Sequence, residues 1–215
     1  MSFQFYHYVH CPFCVRVRMT FGYLNIPYES NVLRYDDEET PVKLTGKKML
    51  PILKHEKGAM NESLDIMALI DKNNLLNISD IVAENSFKEF EAYLNFLGGP
   101  VHSLAMPYWI YTPEFDQKSR EYFQTKKEAK RGPFKDLVKN QEKFLKPLRD
   151  EFPNLIKELK PFYQSETFGL KDILLASHIW GLYVVPEFQF PDEIHSYLQR
   201  VKDICHFNYH QDFWR

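Results

Sequence analysis

Short apolar runs alternate with amphipathic segments in the first third of the chain. Phe3 to Val9 is an apolar run of strand length, and Cys14 to Asn25 carries apolar residues at helical spacing. Ile26-Pro27 predicts the end of that helix, because the residue before a proline avoids the helical conformation. A second strand is predicted at Tyr28 to Leu33. A strand–helix–strand opening favours a right-handed crossover and a mixed sheet with helices on its faces.

The alternation of strand-like and helix-like segments continues with a short helix, a hairpin and another helix. The acidic run Asp36 to Glu39 leads into a short helix, where negative charge suits the N-terminus. Ile52 to Lys54 and Ala59-Met60 predict a hairpin. Ser63 then precedes an amphipathic helix that extends to Ile70. The predicted order is therefore β-α-β-α-β-β-α.

The pattern changes after an Asn-rich stretch at residues 72–79. Beyond it, helical periodicity dominates and no run predicts a strand. The predicted helices are Ala83–Leu97, Glu114–Ala129, Phe134–Phe152, Lys171–Val184 and Asp192–Phe207. Pro147 predicts a kink or a break in its helix. We therefore expect an α/β domain at residues 1–72, a linker at 73–83 and an all-helical domain at 84–215.

Composition is typical of a soluble globular protein, with 44% hydrophobic and 26% charged residues. A formal net charge of -2 gives no reason to expect a nucleic acid partner. No apolar run approaches the roughly 20 residues that span a bilayer, so no membrane association is expected. No signal peptide is expected either, which favours a cytoplasmic location. The basic stretch Lys126 to Lys139 is interleaved with Glu128 and Asp136, and we interpret it as a solvated helix face.

Two cysteines carry the clearest chemical signal. Cys11 and Cys14 enclose Pro12-Phe13 between the first predicted strand and the first predicted helix. A thiol in the first turn of a helix faces unpaired N–H groups and the positive end of the helix dipole, which favour the thiolate. Arg16 and Arg18 add positive potential, although any surface helix carries such residues. We predict Cys11 as the nucleophile of thiol–disulfide exchange and Cys14 as the resolving thiol.

A cysteine pair at this spacing also occurs as half of a zinc site, and His7 and His10 raise that alternative. A zinc ribbon needs a second ligand pair, for which Cys205-His206 is a poor candidate, so no metal site is predicted. We interpret Cys205 as a helix-packing residue. Three cysteines are too few for a secreted disulfide scaffold, and in a reducing compartment the Cys11–Cys14 pair would cycle.

Two further elements suggest ligand binding. In a thioredoxin-like arrangement Pro51 is cis and leaves the N–H and C=O of Leu50 free to pair with a peptide-like ligand. Ser63 is a good N-cap, and the N–H groups of the helix after it form an anion site. Glu62 beside it could receive an ammonium group, so an α-amino acid head would fit. Taken alone, Glu62-Ser63 is better explained by plain helix capping.

These stretches resemble the bacterial glutaredoxin 2 family, which are large glutaredoxins with a glutathione-transferase-like N-terminal domain. The resemblance covers most of the chain, most firmly residues 5–70 and 114–138. It is carried by His10–Met19, Phe21-Gly22, Asn25–Pro27, Asp36-Asp37, Glu39–Pro41, Pro51–Leu53, Met60–Ile66, Tyr122-Phe123, Lys126–Ala129 and Gly132–Phe134. The later stretches matter because the dithiol alone indicates only the thioredoxin superfamily.

The resemblance implies an α/β thioredoxin-like N-terminal domain packed on an all-α C-terminal domain, with glutathione bound in the cleft between them. Glutathione is then a co-substrate, and no tightly bound cofactor is expected. Cys11 and Cys14 match the family's nucleophile and its partner. The implied glutathione-binding residues are Phe13, Leu50, Pro51, Glu62 and Ser63. Phe13 replaces the Tyr common in glutaredoxins, which keeps the apolar contact and removes a hydroxyl.

Three classes of function follow from these residues. The prediction is a glutathione-dependent thiol–disulfide oxidoreductase, a monomer that reduces disulfide-containing or glutathionylated proteins. A glutathione transferase is the first alternative, but transferases usually present Ser, Tyr or a lone Cys to glutathione, and the retention of Cys14 argues against it. A non-catalytic, transferase-like interaction module is the second alternative, and the intact cysteine pair weighs against it as well.

Overall fold

The computed structural model describes residues 3–208, and the first part of this range builds a four-stranded mixed sheet. The strand order is β2-β1-β3-β4, with β1 parallel to β2 and the other pairs antiparallel. Its elements are β1 (Phe3–His7), α1 (Pro12–Tyr23), β2 (Tyr28–Val32), α2 (Glu39–Thr45), β3 (Ile52–His55), β4 (Gly58–Met60) and α3 (Ser63–Ile70). The predicted order β-α-β-α-β-β-α is confirmed.

The central strand β1 determines where the first helix begins. Phe5 on β1 is fully buried and lies between Ser30 of β2 and Leu53 of β3. β1 ends at His7, two residues earlier than predicted, and residues 8–11 leave the sheet toward α1. α1 begins at Pro12, because proline at the first helical position loses no hydrogen bond that the helix needs. The cysteine pair is thereby placed at the edge of the sheet where β1 ends.

The second part of the described range is helical, with only isolated β-bridges near residue 160. Its elements are α4 (Ile78–Ala83), α5 (Asn85–Trp109), α6 (Gln117–Arg131), α7 (Phe134–Lys139), α8 (Glu142–Glu158), α9 (Leu170–Ile179), a 3-10 helix (Trp180–Val184) and α10 (Asp192–Ile204). α5 packs on α8 and α9, and α1 of the first part packs on α9, so one core joins the two parts. The fold class predicted from the sequence, a thioredoxin-like domain with an all-α domain, is confirmed.

Three local predictions differ from the structure. The predicted linker at 73–83 contains the helix α4. α5 continues beyond Leu97 through a Gly-Gly-Pro sequence, because Val101 and Leu104 of its second half are buried in the core. Of the kink or break predicted at Pro147, the break does not occur: α8 runs through this proline, and the predicted helix is interrupted at 140–141 instead. The outer ends of both predicted domains, 1–2 and 209–215, lie outside the described residues.

Close packing of α1 against the end of α10 closes the fold. A Cβ atom at Gly22 would lie 1.7 Å from the carbonyl oxygen of Cys205, so only glycine permits this approach. Cys205 is fully buried, and burial raises the pKa of its thiol. Its interpretation as a helix-packing residue is confirmed. Among residues 3–208, no helix is long and apolar enough to cross a membrane.

Candidate active site

Cys11 is the N-cap residue of α1, and its backbone anchors the first turn. Its carbonyl oxygen accepts hydrogen bonds from the N–H groups of Cys14 at 2.9 Å and Val15 at 2.8 Å. The Cys11 side chain is partly exposed, whereas Cys14 lies one turn further and is fully buried. The backbone N–H of Tyr8 donates to Cys14 Sγ at 3.4 Å. Both cysteines are free.

The two thiols have opposite electrostatic environments. A hydrogen bond from the Cys14 thiol is the largest effect on Cys11, and it lowers the Cys11 pKa to about 7. The N–H groups of Phe13 and Cys14 and the charge of Arg16 act in the same direction and outweigh partial burial. Burial raises the pKa of Cys14 well above its ordinary value, and the neighbouring Cys11 raises it further. One acidic, accessible thiol therefore lies beside one thiol that stays protonated.

A cleft of about 460 Å³ opens above Cys11, between the two parts of the fold. Its floor and walls are largely aromatic. Tyr8 stacks on Tyr35 with ring centroids 3.9 Å apart, and Tyr35 stacks in turn on Phe115 at 4.7 Å. From the helical part, Trp109 and Phe123 line the opposite wall. The reactive sulfur thus faces a cleft with aromatic side chains on both walls.

His10 fastens the loop before the dithiol to the helical part. Its Nε2 atom lies 2.9 Å from Thr112 Oγ1 and 2.5 Å from a carboxylate oxygen of Glu114. The imidazole also stacks on Trp109 with ring centroids 5.1 Å apart. Because His10 is buried and adjacent to Cys11, these contacts fix the position of the reactive cysteine relative to the second wall of the cleft. His7, the other histidine of the zinc alternative, lies 2.7 Å from Ser30 Oγ through its Nε2.

Within residues 3–208, no group of three or more His, Cys, Asp or Glu side chains is arranged to hold a metal ion.

The structure brings some of the predicted binding residues into this cleft and leaves others beside it. Phe13 and Leu50 line it together with Cys11, and the Leu50–Pro51 peptide bond is cis, as the thioredoxin-like interpretation required. In the described range, the Leu50 N–H and C=O make no backbone hydrogen bond, since β3 begins only at Ile52. Glu62 and Ser63 do not line the cavity itself.

Glu62-Ser63 is connected to the cleft through Arg16. This buried guanidinium donates from Nε to Ser63 Oγ at 2.9 Å, and its Nη2 donates to the same oxygen. The guanidinium carbon also lies 4.6 Å from the centre of the Phe13 ring. Arg16 therefore joins the first turn of the dithiol helix, the start of α3 and one wall of the cleft.

The prediction that Ser63 caps α3 was wrong. Glu62 is the N-cap residue and Ser63 is the first helical residue, with its hydroxyl oxygen occupied by Arg16. Glu62 is exposed and has a φ of 74°, which a non-glycine residue adopts rarely and at an energetic cost. This conformation holds the Glu62 carboxylate at the surface beside the N-terminus of α3.

The interpretation of Lys126 to Lys139 as a solvated helix face was right for most of its lysines, which are exposed, but wrong in treating the stretch as one helix. The stretch is divided between α6 and α7, and Lys126, Lys127 and Lys130 of α6 line the cleft above Cys11. Together with Phe123 they follow the i, i+3, i+4, i+7 spacing of one helix face, a signal that was present in the sequence. It was missed because charged residues at this spacing usually face solvent.

The sheet, the cis Pro51, the dithiol at the start of α1 and the helical second part define a thioredoxin-like redox domain in the glutathione-transferase arrangement. Comparisons with known proteins agree. Residues 5–75 match the family described as "Glutathione S-transferase, N-terminal domain", and residues 89–212 match "Glutaredoxin 2, C terminal domain". Glutaredoxin 2 of Escherichia coli strain K12 is 34% identical over 200 residues, which cover 90% of this chain and 91% of that protein.

The chain therefore belongs to the glutaredoxin 2 family. It is a glutathione-dependent thiol–disulfide oxidoreductase, the enzyme class that the family name denotes.

Solved structures extend the comparison. Glutaredoxin 2 from Salmonella typhimurium, solved in complex with glutathione, is 31% identical with a TM-score of 0.83, and the match covers 96% of this chain and 95% of that one. A glutathione S-transferase from Ceriporiopsis subvermispora shares only the fold, with 17% identity, a TM-score of 0.73 and coverage of 96% and 98%.

Proposed function

We propose that Cys11 is the nucleophile of this oxidoreductase and that Cys14 is its resolving thiol. The observation that carries the proposal is the partly exposed Cys11 sulfur, whose pKa is lowered to about 7, at the base of a cleft and beside a buried Cys14 thiol. At neutral pH about half of Cys11 is then thiolate, the form that attacks a disulfide. The high pKa of Cys14 keeps its proton in place until the first exchange has occurred.

We propose that glutathione occupies the first-domain side of the cleft, as the complexed relative from Salmonella suggests. The Leu50 N–H and C=O would pair with the cysteinyl backbone of glutathione as an added strand, beside Pro51. Phe13 supplies an apolar contact. Glu62 would receive the α-ammonium group of the γ-glutamyl head, and Ser63 with the first N–H groups of α3 would receive its carboxylate.

Two routes return the enzyme to its reduced state. With a glutathionylated protein, the Cys11 thiolate attacks the glutathione sulfur, a Cys11–glutathione disulfide forms, and the protein leaves as a thiolate that takes up a proton. A second glutathione thiolate then attacks the bound glutathione sulfur, which releases oxidised glutathione. With a protein disulfide, Cys14 attacks the mixed disulfide at Cys11, and two glutathione molecules supply the two electrons that reopen the Cys11–Cys14 bond.

The protein substrates are proposed to be disulfide-containing or glutathionylated proteins of the cytoplasm, with the enzyme acting as a monomer. We also propose that residues 1–72 and 84–215 form two domains, which residues 73–83 join.

A glutathione-coupled assay tests the roles of the two cysteines. Wild type, Cys11→Ser and Cys14→Ser are compared with a small disulfide and with a glutathionylated peptide as substrates. We expect Cys11→Ser to lose at least about a hundredfold with both, because the hydroxyl stays protonated. Cys14→Ser should keep turnover of the glutathionylated peptide, since glutathione itself resolves that intermediate. Equal turnover of wild type and Cys11→Ser would overturn the assignment.

A further inference from the structure

The dithiol chemistry does not use the basic side of the cleft. Lys126, Lys127 and Lys130 project from α6, and we call these three residues the lysine face. Phe123, one turn earlier on the same face, is buried in the core, so the orientation of the helix is fixed by packing. The face therefore enters the cleft as a rigid feature of the helical part.

The charge of the lysine face is not neutralised within the described part of the chain. None of its three ammonium groups has a carboxylate within ion-pair distance. Glu128, the acid interleaved among them, is turned away, because its Oε1 accepts from Gln124 Nε2 at 2.9 Å and from the backbone N–H of Phe134 at 2.8 Å.

The carboxylate of Glu38, which contacts Tyr122 and Lys48 of the cleft wall, is also already engaged. It accepts a hydrogen bond from the Tyr122 hydroxyl at 2.5 Å and lies 3.4 Å from the ammonium group of Lys48. Lys48 is held by Tyr122 and by the carbonyl oxygen of Tyr35 at 2.8 Å. Lys48 is thus fixed within the protein. Among residues 3–208, the lysine face contributes three positive charges to the cleft that form no ion pair.

Like charges on one wall of the cleft repel one another. Burial lowers the pKa of Lys127, and the neighbouring charges of Lys130 and Arg131 lower it further, while the Cys11 thiolate opposes this effect. Among residues 3–208, no acidic side chain lines the cleft. A ligand that brought carboxylates to this wall would relieve the repulsion and pair with the lysines.

We propose that the lysine face binds acidic side chains of the protein substrate, on the segment next to its glutathionylated cysteine. This rests on the proposed function and adds the substrate class. Glutathione occupies the Leu50 side of the cleft, and the protein half of the mixed disulfide lies against α6. The departing protein thiolate then leaves beside three ammonium groups.

Three glutathionylated peptides of one length test the proposal, with acidic, neutral or basic residues flanking the modified cysteine. The quantity compared is the ratio of kcat/KM for the acidic peptide to that for the neutral one. In wild type at low salt we expect a ratio of about five to ten, since three partly exposed ion pairs each contribute about a factor of two. The basic peptide should be poorer than the neutral one.

A triple variant identifies the source of that preference. In Lys126→Gln/Lys127→Gln/Lys130→Gln the ratio should fall to about one. The matched control is Lys135→Gln/Lys139→Gln/Lys143→Gln, which removes the same charge from exposed positions outside the cleft and should keep the wild-type ratio. An unchanged ratio in the first variant, or an equal loss in the control, would overturn the proposal.

Two further measurements keep the result interpretable. Because a triple variant can fail to fold, the wild-type ratio is also measured across ionic strength, where it should decline toward one as salt screens the pairs. A ratio near one for wild type at low salt refutes the acidic substrate class. Turnover of the neutral peptide by wild type and Cys11→Ser tests the dithiol mechanism separately. The dithiol mechanism and the preference for acidic substrates can therefore be refuted independently.

Discussion

Arg16 donates from Nε to Ser63 Oγ at 2.9 Å, and this bond connects the dithiol helix α1 to the start of α3. Both side chains are buried, so the guanidinium depends on that oxygen to replace lost hydration. Burial lowers the pKa of Arg16 to about 10, while the Cys11 thiolate and the carboxylates of Glu91 and Glu62 act in the opposite direction. The reactive sulfur and the proposed binding site for the γ-glutamyl head are therefore linked through one cation.

Removing the Ser63 hydroxyl should destabilise the protein. In Ser63→Ala the buried guanidinium loses its acceptor, which we expect to lower the free energy of unfolding by about 2 kcal/mol. Ser63→Thr keeps the oxygen and should recover part of this loss. Urea denaturation measures both. Ser86→Ala is the control, because Ser86 is exposed and bonds only to Glu84; a loss of the same size there would contradict the explanation.

The reactivity of Cys11 should follow its lowered pKa. Alkylation by iodoacetamide should be half-maximal near pH 7 and should decline as pH falls below this value, because the thiolate is lost. In Cys14→Ala the curve should shift upward by about one to two pH units, since a hydrogen bond to a charged group contributes about 1.5–3 kcal/mol. Cys205→Ala should leave the curve in place, and an unshifted curve for Cys14→Ala would exclude the proposed hydrogen bond.

Two buried histidines should make the fold sensitive to acid. Burial lowers the pKa of His7 to about 3 and of His178 to about 4. Both stay neutral in the folded chain at pH 5, whereas the unfolded chain binds protons below its ordinary pKa of about 6.5. Stability is therefore lost as pH falls from 6.5, by about 2 kcal/mol for each histidine at pH 5.

Urea denaturation at pH 7 and pH 5 checks this loss. His178→Gln should be about 2 kcal/mol less sensitive to the change than wild type. His195→Gln, at an exposed position, should behave as wild type does. If His178→Gln and wild type lose the same stability on acidification, His178 is not the source of the effect.

Gly22 should tolerate no side chain. Alanine at this position would place Cβ 1.7 Å from the Cys205 carbonyl oxygen, so α1 and the end of α10 would have to separate. We expect a loss of at least about 2 kcal/mol of unfolding free energy, as overpacking of a rigid contact usually costs about 1–3 kcal/mol. Gly99→Ala in α5 is the control, because no atom lies within 4 Å of its Cβ position, and it should be neutral or stabilising by helix propensity. Thermal unfolding measures the stability of both variants, and an equal effect of the two substitutions would contradict the close contact at Gly22.

The sequence predicted the features that depend on local pattern. Phe5 and its neighbours alternate as a half-buried strand does, and Pro12 after Cys11 determines where α1 begins, so the sheet and the dithiol could be placed correctly. The full length of α5 could not be predicted. The helix continues through Gly98-Gly99-Pro100 because residues after this sequence are buried, and this burial outweighs the local tendency of glycine and proline to end a helix.

The site was predictable only where it is built from one segment. Cys11 and Cys14 belong to a single turn, and their relative exposure followed from their positions in it. Ser63 was assigned the wrong local role because its partner, Arg16, is distant in sequence. Lys127 was interpreted as solvated because its spacing from Phe123 indicates a shared helix face but not that this face forms a wall of the cleft above Cys11.

The proposed chemistry of Cys11 is tested most directly by identifying the residue that accepts glutathione. Cys14→Ser enzyme is incubated with oxidised glutathione at pH 7, and the product is examined by intact mass spectrometry and peptide mapping. We expect one glutathionyl group per chain, attached to Cys11 and released by reduced glutathione. Modification at Cys205, or no modification under conditions in which the protein stays folded, would contradict the assignment of Cys11 as an acidic nucleophile in a glutathione-binding cleft.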